Sequence, residues 1–345
     1  MINSSELPIP EFFNSEKVQQ VWQIPYAQRA DQAEAWAQAQ NIPPAVNDQT
    51  RIGLLLVDVQ NTFCLPEFEL YVGGRSGKGA IEDNTRLCQF IYRNLHRLTH
   101  IIATMDTHVA TQIFHPIFWV DEKGEHPAPT TIISHQDIEQ GIWKINPTIV
   151  PNFPNWSLDK LQAYALHYAR HLDSIGKYPL MVWPYHANLG SISHPLVSSV
   201  EEALFFYSIA RKSQVQYEIK GNNPLTEHYS VLRPEVTEDQ EGNAIAQENR
   251  PLIEQLLSFD QLLIAGQAKS HCVAWTVDDL LTEIQQRDPN LANKVYLLED
   301  CTSPVVIPNG ADFTEQAAQE FTRFEKAGMH LVNSTASNFL VKLPS

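Results

Sequence analysis

A cysteine becomes a reagent when its surroundings favour the thiolate, and one stretch of this sequence has that character. In Gly266-Gln-Ala-Lys-Ser-His-Cys272-Val-Ala-Trp-Thr276-Val-Asp278-Asp279, an apolar run ends in a turn and a helical pattern begins. Cys272 therefore sits at a helix start, where unpaired backbone N–H groups and the helix dipole stabilise negative charge on sulfur. A thiol nucleophile also needs a base to take its proton and a positive group to hold it ionised. Asp58 ends an apolar run in Val57-Asp58-Val59-Gln60-Asn61-Thr62-Phe63, and Lys220 ends a short β-like run in Glu218-Ile219-Lys220-Gly221. If all three stand at strand ends, they can converge. If they do not, Asp58 caps a turn and Lys220 is a solvated ammonium, and spacing alone leaves both readings open.

A second set of residues has the chemistry of metal ligands. Asp106-Thr107-His108 follows another apolar run, and Trp183-Pro184-Tyr185-His186 lies far downstream. An aspartate and a histidine two residues apart at a strand end can face one ion, and a third ligand from a remote loop leaves positions open for water or substrate. With 13 histidines in the chain, an isolated Asp-x-His arises easily by chance. His115 and His126 are further candidates. The remaining cysteines, Cys64, Cys88 and Cys301, form no Cys-x-x-Cys pair and read as separate reduced, buried thiols.

The elements that must position these groups alternate along the chain. Ile52 to Val57 is continuously apolar, as expected of a strand covered on both faces. Helical spacing follows at Ile81 to Leu98, then a strand at His100 to Met105, a strand at Gln261 to Ala265 and a helix at Val273 to Gln286. A strand at Lys294 to Leu298, a helix at Phe313 to Ala327 and a strand near His330 to Val332 complete the series. Strands alternating with helices predict an α/β fold, a parallel sheet covered on both sides with right-handed crossovers. Functional groups in such sheets collect at the carboxyl ends of the strands, which is where Asp58, Asp106 and the Gly266 to Cys272 turn fall.

Residues 1–50 read as an N-terminal arm with a helix near Tyr26 to Gln40, stopped by Pro43 and Pro44. The arm is expected to pack on the body or on a partner subunit. At about 110–180 a Pro- and aromatic-rich stretch with an amphipathic helix at Leu158 to Leu172 reads as an insertion into a domain spanning 51–345. The charges of Glu235 to Asn249 read as a solvated loop. The 345 residues carry a formal net charge of −16 spread along the chain, which argues against a nucleic-acid or anionic-membrane partner and for a small molecule. The sequence has no apolar run of roughly 20 residues and no basic, apolar leader at its start, so a cytoplasmic location is expected.

These segments resemble the isochorismatase-like hydrolase superfamily, whose members carry D-x-Q-N-x-F at a strand end, a lysine after a central strand and G-x-A-x-x-x-C-V-x-x-T-x-x-D at a turn. The resemblance covers about Arg51 to Ser345, apart from the insertion. It implies a three-layer αβα sandwich with a parallel, roughly six-stranded Rossmann-like sheet. It also implies a catalytic triad of Asp58, Lys220 and Cys272, a cis peptide between Gln267 and Ala268, and an oxyanion hole from the N–H groups of Ala268 and Cys272. The Trp-Pro-x-His segment is similar to the metal site of the nicotinamidase branch. It implies Asp106, His108 and His186 as ligands, preferred over His126, with His115 a fourth candidate and Zn2+ favoured over Fe2+ or Mn2+. In that branch the positions of Phe63 and Trp183 line the pocket of a planar amide, and Trp119 either joins them or packs in the core. Members are often homo-oligomers.

The sequence departs from the nicotinamidase pattern at Ala187, where cysteine is usual, and at Thr62, where a second acidic residue is usual. The activity implied is a metal-assisted amidase working through a thioester. Isochorismatase-type enol-ether hydrolysis, which needs neither the cysteine nor usually a metal, is the alternative enzyme. A non-catalytic binding or scaffold protein of the same fold is the alternative outside enzymology.

Overall fold

A computed structural model describes residues 6–175, 178–307, 310–336 and 340. The first five residues of the expected arm, positions 176 and 177 of the expected insertion, and 341–345 of the expected hydrolase domain lie outside the described residues, as do 308–309 and 337–339. In chain order the main elements are α1 (Tyr26–Ala39), β1 (Ile52–Val57), α2 (Asn61–Cys64), α3 (Gly79–Asn94), β2 (His100–Asp106), β3 (Trp119–Val120), α4 (His135–Glu139), β4 (Lys144–Ile145) and α5 (Leu158–Ile175). They continue with α6 (Ser198–Arg211), β5 (Gln216–Lys220), α7 (Arg250–Leu257), β6 (Gln261–Gly266), α8 (Cys272–Arg287), β7 (Val295–Leu298), α9 (Thr314–Lys326) and β8 (His330–Val332). The chain divides into two compact units, one of 1–105, 195–218 and 250–345 and one of 106–194 and 219–249.

The first unit is built on the expected sheet. Its six strands run in the order β5-β2-β1-β6-β7-β8, with parallel pairing from β2 through β8. β1 and β6 are buried at every position, which explains why both read as unbroken apolar runs rather than as alternating ones. Leu54, Leu56, Ala103, Leu263 and Ala265 join one core with Leu87 and Ile91 of α3 and Ala203 and Phe206 of α6. Leu55, Val57 and Ile264 point to the opposite face and are as fully buried, so helices flank the sheet on both sides. The segment before β1 packs onto α3 and α6. The Phe12 ring lies 5.4 Å from Phe206 and 6.0 Å from Tyr92, Trp36 meets Phe206 edge-on at 5.5 Å, and Arg29 pairs with Glu202. The guanidinium of Arg211, wholly buried, donates to Leu98 O, Pro43 O and, at 2.6 Å, to Asp48 Oδ1.

The second unit has little regular structure. β3 and β4 make a short antiparallel pair, Trp119 opposite Ile145, and α4 begins with a reciprocal Ser134–Asp137 capping box. α5 buries Tyr164 and Tyr168. The Tyr164 hydroxyl donates to Leu225 O (2.8 Å), and the Tyr168 oxygen accepts the Glu227 N–H (3.1 Å). The stretch from Glu235 to Asn249 is a solvated loop in part: Glu238, Glu241 and residues 242–244 are exposed, and two of its charges correct the expectation. Glu235 and Asp239 are 5% and 3% exposed, and Asp239 Oδ1 accepts the N–H groups of Glu241 and Asn243 at 2.9 Å each. Among the described residues, no helix is long and apolar enough to cross a membrane.

Candidate active site and metal centre

In the first unit, β1 and β6 run side by side in register to their last residues, Val57 opposite Gly266. Gly266 has φ +117°, and a Cβ there would lie 2.0 Å from Val57 O, so only glycine lets the two strand ends approach this closely. Asp58 follows Val57 with φ +47°, completely buried. Its backbone N–H donates to Thr104 Oγ1 on β2 (2.9 Å), and the same hydroxyl donates back to Asp58 Oδ1. The carboxylate is thus oriented by the strand next to its own.

Past Gly266 the chain turns through Gln267 and Ala268, whose peptide bond is cis, and reaches Cys272, the first residue of α8. Several bonds fix this turn. Gln267 N–H donates to Val57 O (2.8 Å), His271 N–H to Ala268 O (3.0 Å) and Val273 N–H to Ala268 O (3.2 Å). The Gln267 amide donates to Asp83 Oδ2 at 2.9 Å. Burial raises the Asp83 carboxyl to about 6 despite the Arg86 guanidinium beside it. His271 is buried beside Phe313 (ring centroids 4.9 Å) and shares a hydrogen bond of 2.8 Å with Ser270 Oγ, and burial pushes its ring down to about 3. Cys272 itself is 8% exposed, Ala268 5% and Phe63, on α2, 9%.

The second unit gathers the other predicted residues. Asp106, His108 and His186 are all buried and present ligand atoms within 4.8 Å of one another. Asp106 Oδ2 stands 2.9 Å from His108 Nε2 and 3.7 Å from His186 Nε2. Around a tetrahedral ion with bonds of about 2.1 Å, donor atoms lie about 3.4 Å apart, so the spacing suits a metal. The His186 ring is set by Nδ1 bonding to Pro184 O (2.8 Å), which leaves Nε2 turned to Asp106. Lys220 Nζ donates to Asp106 Oδ1 (3.0 Å) and His228 O (2.8 Å). Burial opposes ionisation of Asp106, yet His108 beside it and the Lys220 ammonium hold its carboxyl well below the usual range. Burial lowers His186.

His115 joins the wall of this cluster, its ring centroid 5.8 Å from those of both His108 and His186. Its Nδ1 bonds to Ala110 O (3.1 Å), its buried Nε2 has no hydrogen-bond partner, and burial pushes the ring down to about 3. His126 is exposed and bonds through Nδ1 to Trp119 O (2.6 Å), outside the ligand group. Trp183 is 7% exposed and donates from Nε1 to Tyr229 Oη (3.2 Å). Trp119 belongs to the core: it is fully buried and donates to Ile113 O (2.6 Å). Sequence reading passed over Gln112 and Gly221, which hold His108 from behind. A glycine directly after the candidate lysine was the one available signal.

No protein-family profile and no curated protein matches the sequence. Solved structures do. The yeast nicotinamidase Pnc1p, bound to the inhibitor nicotinaldehyde, is similar at 16% identity over 82% of this chain and 99% of that one, with a TM-score of 0.50. An Acinetobacter baumanii nicotinamidase and pyrazinamidase is similar at 16% identity over 84% and 99%, with a TM-score of 0.49. A Pyrococcus horikoshii pyrazinamidase in complex with zinc is similar at 16% over 82% and 99%, with a TM-score of 0.43. The architecture is therefore the α/β class in which a parallel six-stranded sheet is flanked by helices. More particularly, it is the fold of the yeast nicotinamidase, as the isochorismatase-like motifs led one to expect.

Proposed function

We propose that this chain is a cysteine hydrolase that cleaves the C–N amide bond of a small planar substrate, such as nicotinamide, through a thioester. The observation that carries the reading is the setting of Cys272. It is the first residue of the 16-residue α8, directly after β6 and its turn, and β6 pairs with the strand that ends at Asp58. The helix start favours thiolate, and a buried carboxylate at the neighbouring strand end suits a base.

In the proposed reaction Asp58 takes the Cys272 proton, and Lys220 stabilises the thiolate. The role of Lys220 rests on the sequence motif. Sulfur attacks the carbonyl carbon, and the oxyanion is held by the N–H groups of Ala268 and Cys272, a type of interaction worth about 3–4 kcal/mol per donor. Collapse breaks the C–N bond as Asp58 gives its proton to the departing amine. A water molecule, deprotonated by Asp58, then cleaves the thioester and restores the thiol. Phe63 and Trp183 are proposed to flank the planar ring of the substrate.

Asp106, His108 and His186 would hold a divalent metal, Zn2+ before Fe2+ or Mn2+, for which a buried N/O donor set is suited. Such an ion polarises a bound group as a Lewis acid.

The test is ammonia release from a panel of small aromatic amides by the purified protein, with Cys272→Ala alongside. Turnover is expected for at least one amide and a loss of at least about 10³-fold in the variant. Activity that survives the substitution removes cysteine catalysis.

A further inference from the structure

The surroundings of His108 contain a conflict that the ligand set does not explain. A metal is bound by the lone pair of Nε2, so the ring proton must sit on Nδ1 and be held there by an acceptor. Gly221 O supplies one, 3.0 Å from Nδ1. Its placement depends on glycine, because residue 221 has φ +80° and a Cβ there would lie 2.6 Å from Asp106 Oδ1 and 2.7 Å from His108 Cε1. Gln112 works the other way. Its amide nitrogen lies 2.9 Å from the same Nδ1 and 2.6 Å from Gly221 O. A donor at Nδ1 favours the lone pair there and the proton on Nε2, where it bonds to Asp106 Oδ2 at 2.9 Å. Gln112 thus opposes ligation twice, by facing Nδ1 with a donor and by competing for the carbonyl. Its side chain is fully buried, and its Oε1 has no hydrogen-bond partner.

We infer that Gln112 is a positioning residue that sets how tightly the Asp106–His108–His186 site holds a divalent metal, through the tautomer of His108. With the amide nitrogen toward Nδ1, His108 keeps its proton on Nε2 and bonds Asp106. When the amide swings away from Nδ1, Gly221 O holds the Nδ1–H and His108 Nε2 is left with a lone pair for the ion. The exchange alters no net charge on the histidine; it trades one internal arrangement for the other.

The inference rests on the metal reading above, and its test separates the two. The affinity of the full-length protein for Zn2+ is measured by competition with a chromophoric chelator for wild type, Gln112→Met and Gln112→Glu, each checked for a wild-type circular dichroism spectrum and thermal transition. Methionine keeps the length and removes the donor without adding charge, and glutamate offers Nδ1 an acceptor only. Both variants are expected to bind Zn2+ more tightly than wild type, glutamate by 10- to 100-fold, the range of effects seen for groups behind metal ligands. Imidazole 15N shifts of the metal-free wild type are expected to report the His108 proton on Nε2, and those of the zinc-loaded protein on Nδ1. Weaker or unchanged binding in Gln112→Met overturns the inference even if glutamate tightens, because charge alone then explains the latter. A wild type that binds no Zn2+ overturns the metal reading itself. If either variant fails to fold, the 15N shifts of the wild type decide, and a metal-free His108 protonated on Nδ1 overturns the proposal.

Discussion

Both units bury an aspartate that follows or ends a strand, but they hold it by unlike means. Asp58 is held by Thr104 on the adjacent strand, and its location follows from the register of β1 with β6. Asp106, the last residue of β2, is fixed by side chains drawn from separate stretches of chain: Lys220 at the end of β5, and His108 and His186 on irregular backbone. Repetitive backbone hydrogen bonding defines the first site, and individual side-chain and carbonyl bonds define the second. The first should therefore fail as a whole when strand packing is disturbed, and the second should fail piecemeal, losing ligand binding before it loses structure.

The two glycines test this contrast with the largest expected effects. Gly266→Ala drives a methyl group to 2.0 Å from Val57 O at φ +117°, so strain and overpacking together should cost about 4 kcal/mol or more. Urea denaturation is expected to find the protein largely unfolded. Gly221→Ala meets side-chain atoms of Asp106 and His108 at φ +80°, a cost of about 1–3 kcal/mol. That variant is expected to fold while its zinc content by mass spectrometry drops severalfold. Equal effects of the two substitutions on stability would erase the distinction.

Smaller changes sharpen it. Thr104→Val removes the hydroxyl that both accepts from and donates to Asp58, leaving a buried carboxylate without that donor. A loss of about 1–2 kcal/mol in the urea midpoint analysis is expected, with zinc content unchanged. Protonation of His271 should act more gently. Its ring is lowered from 6.5 to about 3 by burial, so the unfolded chain binds this proton first. Its stabilising contribution is complete above pH 6.5 and is lost as pH falls from 6.5 toward 3. Between pH 6.5 and 5.5 the cost is less than about 1.4 kcal/mol, and His271→Gln should flatten that part of the stability profile.

The same contrast explains what could be read from residues alone. β1, β2, β6, β7 and β8 announced themselves as apolar runs between helical patterns, and the structure moves their ends by no more than a residue. α6 escaped notice because Val200, Ala203, Leu204, Phe206 and Tyr207 are all buried, which leaves no polar face to mark the helical period. α7 begins Arg250-Pro251, and its eight residues give too short a pattern. In the second unit α5 was legible as an amphipathic pattern, but the loops around the candidate metal site carry no periodicity: the candidate donors His108 and His186 were legible through their motifs, whereas Gln112 and Gly221 act through a single amide and a single carbonyl. Glu235 and Asp239 look like surface charges until the loop folds over them.

The Arg211 clasp has a consequence for anyone shortening the protein. Its guanidinium, with no exposed surface, is satisfied by Pro43 O and Asp48 from the stretch just ahead of the first strand. Trimming the chain at about residue 50 would strip a deeply enclosed cation of its counter-ion, a defect of about 3–5 kcal/mol. A fragment cut at that boundary should come out insoluble, and exopeptidase digestion of the intact protein should stall before Pro43.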